Sequence, residues 1–129
     1  MGKVFISTEL AGGGSTTAYT VGIAKKGIRN ILRHAGITKG ELEVDETLNL
    51  DMPNQSCYVF SETTGLVEHC VDLGDEVKTG QLVAKVHNIE RTGTDPEEYY
   101  AGIDGIYTGR HFPGLVVNGD FLGVIAVPM

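Results

Sequence analysis

Apolar positions change their spacing partway along this chain. Lys3-Val-Phe-Ile-Ser-Thr8 is a short β-branched run without alternation, the pattern of a strand covered on both faces. After Ala11-Gly-Gly-Gly-Ser15, apolar residues recur at Val21, Ala24, Ile28, Ile31, Leu32 and Ala35, the spacing of an amphipathic helix. Ser15, Thr16 or Thr17 can cap its first turn, and Gly36 is a natural stop. A strand, a glycine loop and a helix make half of an α/β unit, which cannot bury both of its faces alone.

Beyond Thr38 the helical spacing disappears and Gly, Pro, Asn and Asp punctuate short runs, so a boundary is placed near residue 39. Strands are expected at 47–50, 56–61, 65–71, 81–87, 105–108 and 121–127. Within them lies an internal echo. Gly65-Leu-Val, Gly74, Val77 and Gly80-Gln-Leu-Val recur as Gly105-Ile-Tyr, Gly114, Val117 and Gly119-Asp-Phe-Leu, which predicts two similar halves packed face to face. Each half follows the pattern of biotinyl and lipoyl carrier domains and related barrel-sandwich hybrids. The expected fold is therefore mainly β: a barrel-sandwich hybrid-like domain over residues 39–129, preceded over 1–38 by one strand and one helix left over from an α/β domain.

Composition narrows the function. With 129 residues, 41% hydrophobic and 21% charged, the chain is expected to fold around a modest core. Ten Lys and Arg against 17 Asp and Glu leave a net charge of -7, which argues against nucleic acid or an anionic membrane as partner. The amino terminus has no sustained apolar run and no stretch approaches the roughly 20 apolar residues of a membrane span, so a cytoplasmic location is expected. Cys57 and Cys70 lack CxxC spacing and read as buried, reduced thiols.

Glu9 is the leading catalytic candidate. It stands at the carboxyl end of the first apolar run, where open α/β sheets bind ligands, and the glycines after it let a substrate approach the backbone. Taken alone it could equally be an ordinary exposed glutamate. Its surroundings decide otherwise, because Ser7-Thr8-Glu9-Leu10-Ala11-Gly-Gly-Gly resembles the T-x-E-L-G-G-G-G segment of the succinylglutamate desuccinylase/aspartoacylase family of carboxypeptidase-A-like zinc hydrolases. The likeness continues through Gly27-Ile-Arg-Asn-Ile-Leu-Arg-His-Ala-Gly36, similar to the branch of ectoine-catabolic diaminobutyrate deacetylases. It extends over Gly65-Leu-Val-Glu, Asp72-Leu-Gly-Asp-Glu-Val, His87-Asn-Ile-Glu-Arg and Arg110-His-Phe-Pro-Gly, almost the whole chain.

That resemblance implies a zinc-dependent enzyme that deacylates N-acyl amino acids, with Glu9 as the general acid/base acting on the attacking water. It implies that zinc is held in the full-length parent by a His-x-x-Glu pair and a later His, all upstream of this glutamate. Only eight residues precede Glu9, so this chain is expected to be the C-terminal portion of a longer enzyme, to carry no zinc and to be inactive without its upstream catalytic domain. The resemblance further implies that Tyr99 or Tyr100 contacts the substrate, although packing of both rings accounts for them equally well.

Two other chemistries are weighed. His87-Asn-Ile-Glu90 with His111 has the residue types of an open zinc site, but the order is wrong for the family. His87 and Glu90 are expected instead to hydrogen-bond within the loop or to a neighbouring strand. A covalent carrier needs a lysine at the hairpin between the halves, and 88–102 contains none; the loop Gly12 to Gly14 matches no phosphate-binding pattern. The rival reading is a non-catalytic barrel-sandwich binding or assembly module. The uncovered apolar faces of the first strand and helix are expected to seek cover, and a self-paired strand edge would give a homodimer.

Overall fold

The computed structural model describes residues 4–129, which form two compact units, one ending at Glu46 and one spanning Thr47–Met129.

The first unit is built on helix α1 (Ala18–His34). Thr17 caps it: its hydroxyl accepts from Thr20 N at 3.1 Å, while Thr20 Oγ1 accepts from Thr17 N at 3.0 Å, so two otherwise orphaned donors are satisfied reciprocally. The helix stops where Gly36 turns to a φ of 71°, and Ile37 N returns to Leu32 O at 2.9 Å. Arg33 and His34 in the last turn suit the negative end of the helix dipole. The unit extends to Glu46 because the acidic segment after the helix is held to it. Asn30 mimics a backbone partner, donating to Glu43 O at 2.8 Å and accepting from Glu43 N at 3.0 Å. Arg33 bonds both Glu41 O and Glu43 Oε1, and Lys26 pairs with Asp45. The hydrogen bond from Arg33, helped by the nearby Arg29 charge, holds the Glu43 carboxyl below its usual range.

The strand expected over residues 3–8 is not formed. Lys3 lies outside the described residues, and residues 4–8 are exposed and without regular structure. A strand needs a hydrogen-bonded neighbour, and no described strand pairs with this run.

The second unit is mainly β, with nine antiparallel strands: β1 (Leu50–Asp51), β2 (Tyr58–Phe60), β3 (Gly65–His69), β4 (Glu76–Val77), β5 (Leu82–His87), β6 (Glu97–Tyr100), β7 (Gly105–Arg110), β8 (Leu115–Val116) and β9 (Phe121–Pro128). One sheet runs β1-β9-β7-β4 with β2 also on β9, and the other runs β6-β5-β3-β8. Their inner faces supply the core, in which Val77, Val83, Tyr107, Val116, Leu122 and Ile125 are completely or almost completely buried.

The halves interlock rather than stack. β3 and β5 pair within the first half as β7 and β9 pair within the second, but β4 crosses to β7 and β8 crosses to β3. Likewise β2 of the first half pairs with β9, and β6 of the second pairs with β5. The internal echo is thus real, with one correction to its register. Val77 corresponds to Val116, not to Val117: the first two are 1% exposed and sit opposite Gly105 and Gly65, whereas Val117 is 54% exposed. The turns after them match bond for bond. Lys78 N donates to Gln81 Oε1 at 3.0 Å and Val117 N to Asp120 Oδ2 at 2.8 Å. Gly80 and Gly119 take φ of 80° and 90°, and their N–H groups reach Ala101 O and Ser61 O.

Candidate functional site

Glu9 is exposed and stands three residues before a tight glycine turn that begins at Gly12. Ser15 N and Ser15 Oγ both donate to Gly12 O, at 3.1 and 3.0 Å, closing a four-residue turn. Its central residues Gly13 and Gly14 have φ of 59° and 67°, a pair of left-handed conformations that glycine adopts without strain. Ala11 also lies at a positive φ of 69°, uncommon for a residue with a Cβ and found most often at ligand sites and sharp turns. The turn delivers the chain directly to Thr17, the cap of α1.

Tyr99 and Tyr100 occur in the other unit, adjacent on β6, and therefore face opposite sides of their sheet. Tyr99 is 8% exposed, and its hydroxyl accepts from Glu62 N at 3.0 Å and lies 3.2 Å from Thr63 Oγ1. Both capacities of that hydroxyl serve the 62–63 turn. Tyr100 is half exposed and donates to Glu98 Oε2 at 2.5 Å, while Lys85 Nζ lies 3.1 Å from Glu98 Oε1. Accepting from Tyr100 and then from Lys85 lowers the Glu98 carboxyl; donating its hydrogen bond to Glu98 raises the Tyr100 phenol.

His87 and His111 are tied to other partners. His87 Nε2 lies 2.6 Å from Glu68 Oε2 on the adjacent strand, and Glu90 N donates to Asn88 Oδ1 in the loop. His111 sets Nδ1 2.9 Å from Phe121 O and Nε2 3.1 Å from Leu115 O. Among the described residues no three His, Cys, Asp or Glu side chains converge as a metal would need. With these ring nitrogens already committed, the described residues do not fit a zinc site.

Two features escaped the sequence reading. Cys57 is buried and free as expected, but Cys70 is exposed at the end of β3, where residual desolvation and then Glu68 raise its thiol. Alternation explains the error: Cys70 lies one residue beyond His69, on the face shared with Glu68. His69 itself buries Nδ1 without a partner among the described residues, and burial, then Arg110, pushes its imidazole down. No spacing signal in the sequence marks it.

Comparisons with known proteins agree with this arrangement. No family model matches the chain. It is 48% identical over 127 residues to the N-alpha-acetyl-L-2,4-diaminobutyric acid deacetylase of Halomonas elongata, covering 97% of this chain and 37% of that protein. The product-bound ectoine utilization protein EutE (DoeB) of Ruegeria pomeroyi is 53% identical over 92% of this chain and 36% of its own, with a TM-score of 0.86. A succinylglutamate desuccinylase/aspartoacylase from Rhodobacter sphaeroides is 32% identical over 94% of this chain and 39% of its own, also at 0.86.

The fold is thus shared with these solved relatives. Its homologues are a diaminobutyric acid deacetylase and members of the succinylglutamate desuccinylase/aspartoacylase family, and it matches a C-terminal fragment of them. It spans little more than a third of the length of the relatives it matches. Among the described residues no helix is long and apolar enough to cross a membrane.

Proposed function

We propose that this chain is the C-terminal portion of a zinc-dependent, cytoplasmic deacylase of N-acyl amino acids, and that it supplies the general acid/base, Glu9. The observation that carries the reading is identity of about half the residues, over more than nine-tenths of the chain, to a protein named as a diaminobutyric acid deacetylase and to an ectoine utilization protein. Within it, residues 1–38 complete an α/β catalytic domain and residues 39–129 form a barrel-sandwich hybrid that borders the substrate. The interlocked halves of the β unit support the latter assignment.

The chemistry assigned to this chain is proton transfer. Glu9, exposed beside a turn whose glycines leave the backbone approachable, takes the proton of the attacking water and returns it to the departing amine. Zinc belongs to ligands of the upstream domain, and the chain alone is inactive. Of the two tyrosines, Tyr100 is the substrate contact, since Tyr99 has spent its hydroxyl on the 62–63 turn.

The same reading accounts for the uncovered surface of the first unit. Val4, Ile6, Ile31, Ala35, Leu42 and Val44 line an apolar trough of about 710 Å³. Apolar area of that kind marks a contact surface, and the upstream catalytic domain is its occupant. Adding the separately expressed upstream part of the Ruegeria relative tests the proposal. Complex formation with appearance of N-acetyl-diaminobutyrate hydrolysis supports it, whereas hydrolysis by this chain alone contradicts it.

A further inference from the structure

A hydrogen bond has a direction, and one such direction on β6 restricts what can bind there. Tyr100 donates its hydroxyl proton to Glu98 Oε2 at 2.5 Å. Glu98 is the acceptor because its carboxyl is held below the usual range, first by this bond and then by Lys85, and an ionised carboxylate has no proton to give. With its proton spent, the Tyr100 oxygen turns only lone pairs to the solvent, so it can accept but not donate. Lys85 Nζ lies on the other carboxylate oxygen, Oε1, at 3.1 Å, which leaves Oε2 a further lone pair beside the phenol. Two acceptor oxygens thus stand 2.5 Å apart on a half-exposed surface, close enough for one cationic donor to reach both.

The sheet fixes this pair in place. Glu98 and Tyr100 are two residues apart on one strand and share a face, and Glu98 stands directly opposite Lys85 in the register with β5. Lys85 in turn is committed to Glu98, whose hydrogen bond raises the pKa of its ammonium.

The wider field points the same way. From Thr47 to Met129 there are four Lys and Arg against twelve Asp and Glu, a net of -8 with histidine neutral, so the β unit draws cations and repels anions. A substrate carboxylate at Tyr100 would find no proton to bind and would meet the Glu98 charge directly. A primary ammonium brings three donors and the complementary charge. Every N-acyl amino acid has a carboxylate and an amide, but an ammonium is present only where the amino acid carries a second amine that is not acylated.

We propose that Tyr100 and Glu98 together bind a free ammonium group of the substrate and make the enzyme selective for N-acyl diamino acids. The inference rests on the reading of Tyr100 as the substrate contact and adds the group that this contact recognises.

The test uses the enzyme reconstituted from this chain and the upstream part of the Ruegeria relative. It compares kcat/KM for N-acetyl-2,4-diaminobutyrate with kcat/KM for N-acetyl-2-aminobutyrate, the same molecule without the second amine. The expected result is that Glu98→Gln and Tyr100→Phe each lower the ratio of the two about tenfold or more, chiefly through KM of the diamino substrate. Glu76→Gln, on the other sheet, should leave the ratio where it was. Two substitutions are used so that misfolding of one does not decide the matter, and far-UV circular dichroism checks both. An unchanged ratio in the folded variants overturns the inference, and so does an equal loss on both substrates, which would mean that Tyr100 meets a group common to them; either leaves the assignment of Glu9 standing. Hydrolysis of neither substrate by the unsubstituted enzyme contradicts the parent reading, and the inference falls with it.

Discussion

Gly65 and Gly105 occupy equivalent places in the two halves of the β unit, and each is pressed against the backbone of the strand beside it. A Cβ at Gly65 would fall 2.2 Å from His87 O, and one at Gly105 would fall 2.5 Å from Ala126 O. Both distances are far inside contact, and the obstructing atoms are main chain, which cannot swing aside. Close approach, not turn geometry, is what requires glycine here.

Gly65→Ala and Gly105→Ala should therefore each destabilise the β unit by about 3 kcal/mol or more, by similar amounts. Gly74→Ala provides the contrast. Its φ is 97° but nothing lies within 4 Å of the added carbon, so only backbone strain is expected, about 1 kcal/mol. Urea unfolding of the three variants checks the ranking, and a Gly74 variant as damaged as the other two would show the steric argument to be wrong.

Tyr107 should make the fold sensitive to alkali. It is fully buried, its hydroxyl donates to Leu122 O at 3.2 Å, and burial pushes its phenol up to about 12. A raised pKa means the neutral form is favoured in the folded state. The associated stability is complete below about pH 10 and is lost as pH climbs towards 12. The gap is worth roughly 2–3 kcal/mol. Tyr107→Phe should lose about 1 kcal/mol at neutral pH and flatten the decline above pH 10. A variant that retains the full alkaline decline would contradict this.

The adjacent tyrosines should separate stability from function. Tyr99→Phe leaves Glu62 N and the Thr63 hydroxyl without their partner in a nearly closed site, at a cost of about 1–2 kcal/mol. Tyr100→Phe removes only a half-exposed bond to Glu98, so thermal stability should change little. In the reconstituted enzyme Tyr100→Phe should instead raise KM. Equal effects of both substitutions on stability would count against the division of roles.

Much of this fold was legible in the chain, and the failures share a cause. A cap among Ser15, Thr16 and Thr17, the stop at Gly36 and the longer strands β3, β5, β7 and β9 follow from side-chain chemistry and local spacing, while the choice of Thr17 came from the structure. β4 and β8 have two residues each, too few for any periodicity, and exist because the other half offers them an edge. β6 was hidden in a segment read as a connection, since Glu97-Glu-Tyr-Tyr100 alternates weakly. The run 3–8 has the composition of a strand, but its described residues 4–8 have no partner among the described strands, and pairing is a property of the neighbour. The echo was visible, but the one-residue difference between Val116 and Val117 needed the burial of one and exposure of the other. At the candidate site, Glu9 and its glycine turn could be picked out, whereas the distinction between Tyr99 and Tyr100 depends on the 62–63 turn, distant in sequence.

The β unit should also fold without what precedes it. A chain beginning at residue 39 keeps both sheets and their core, and should unfold cooperatively in urea with the same near-UV signal. A shortened chain lacking a cooperative transition would sink the claim of independence.

The central claim, that this chain contributes the proton-transfer group of a deacylase, is tested most directly by turnover of N-acetyl-2,4-diaminobutyrate in the reconstituted, zinc-loaded enzyme carrying Glu9→Gln. The account predicts a folded assembly with unchanged metal content whose kcat falls by about a hundredfold or more. Turnover within a fewfold of the unsubstituted enzyme would show that Glu9 is not the acid/base.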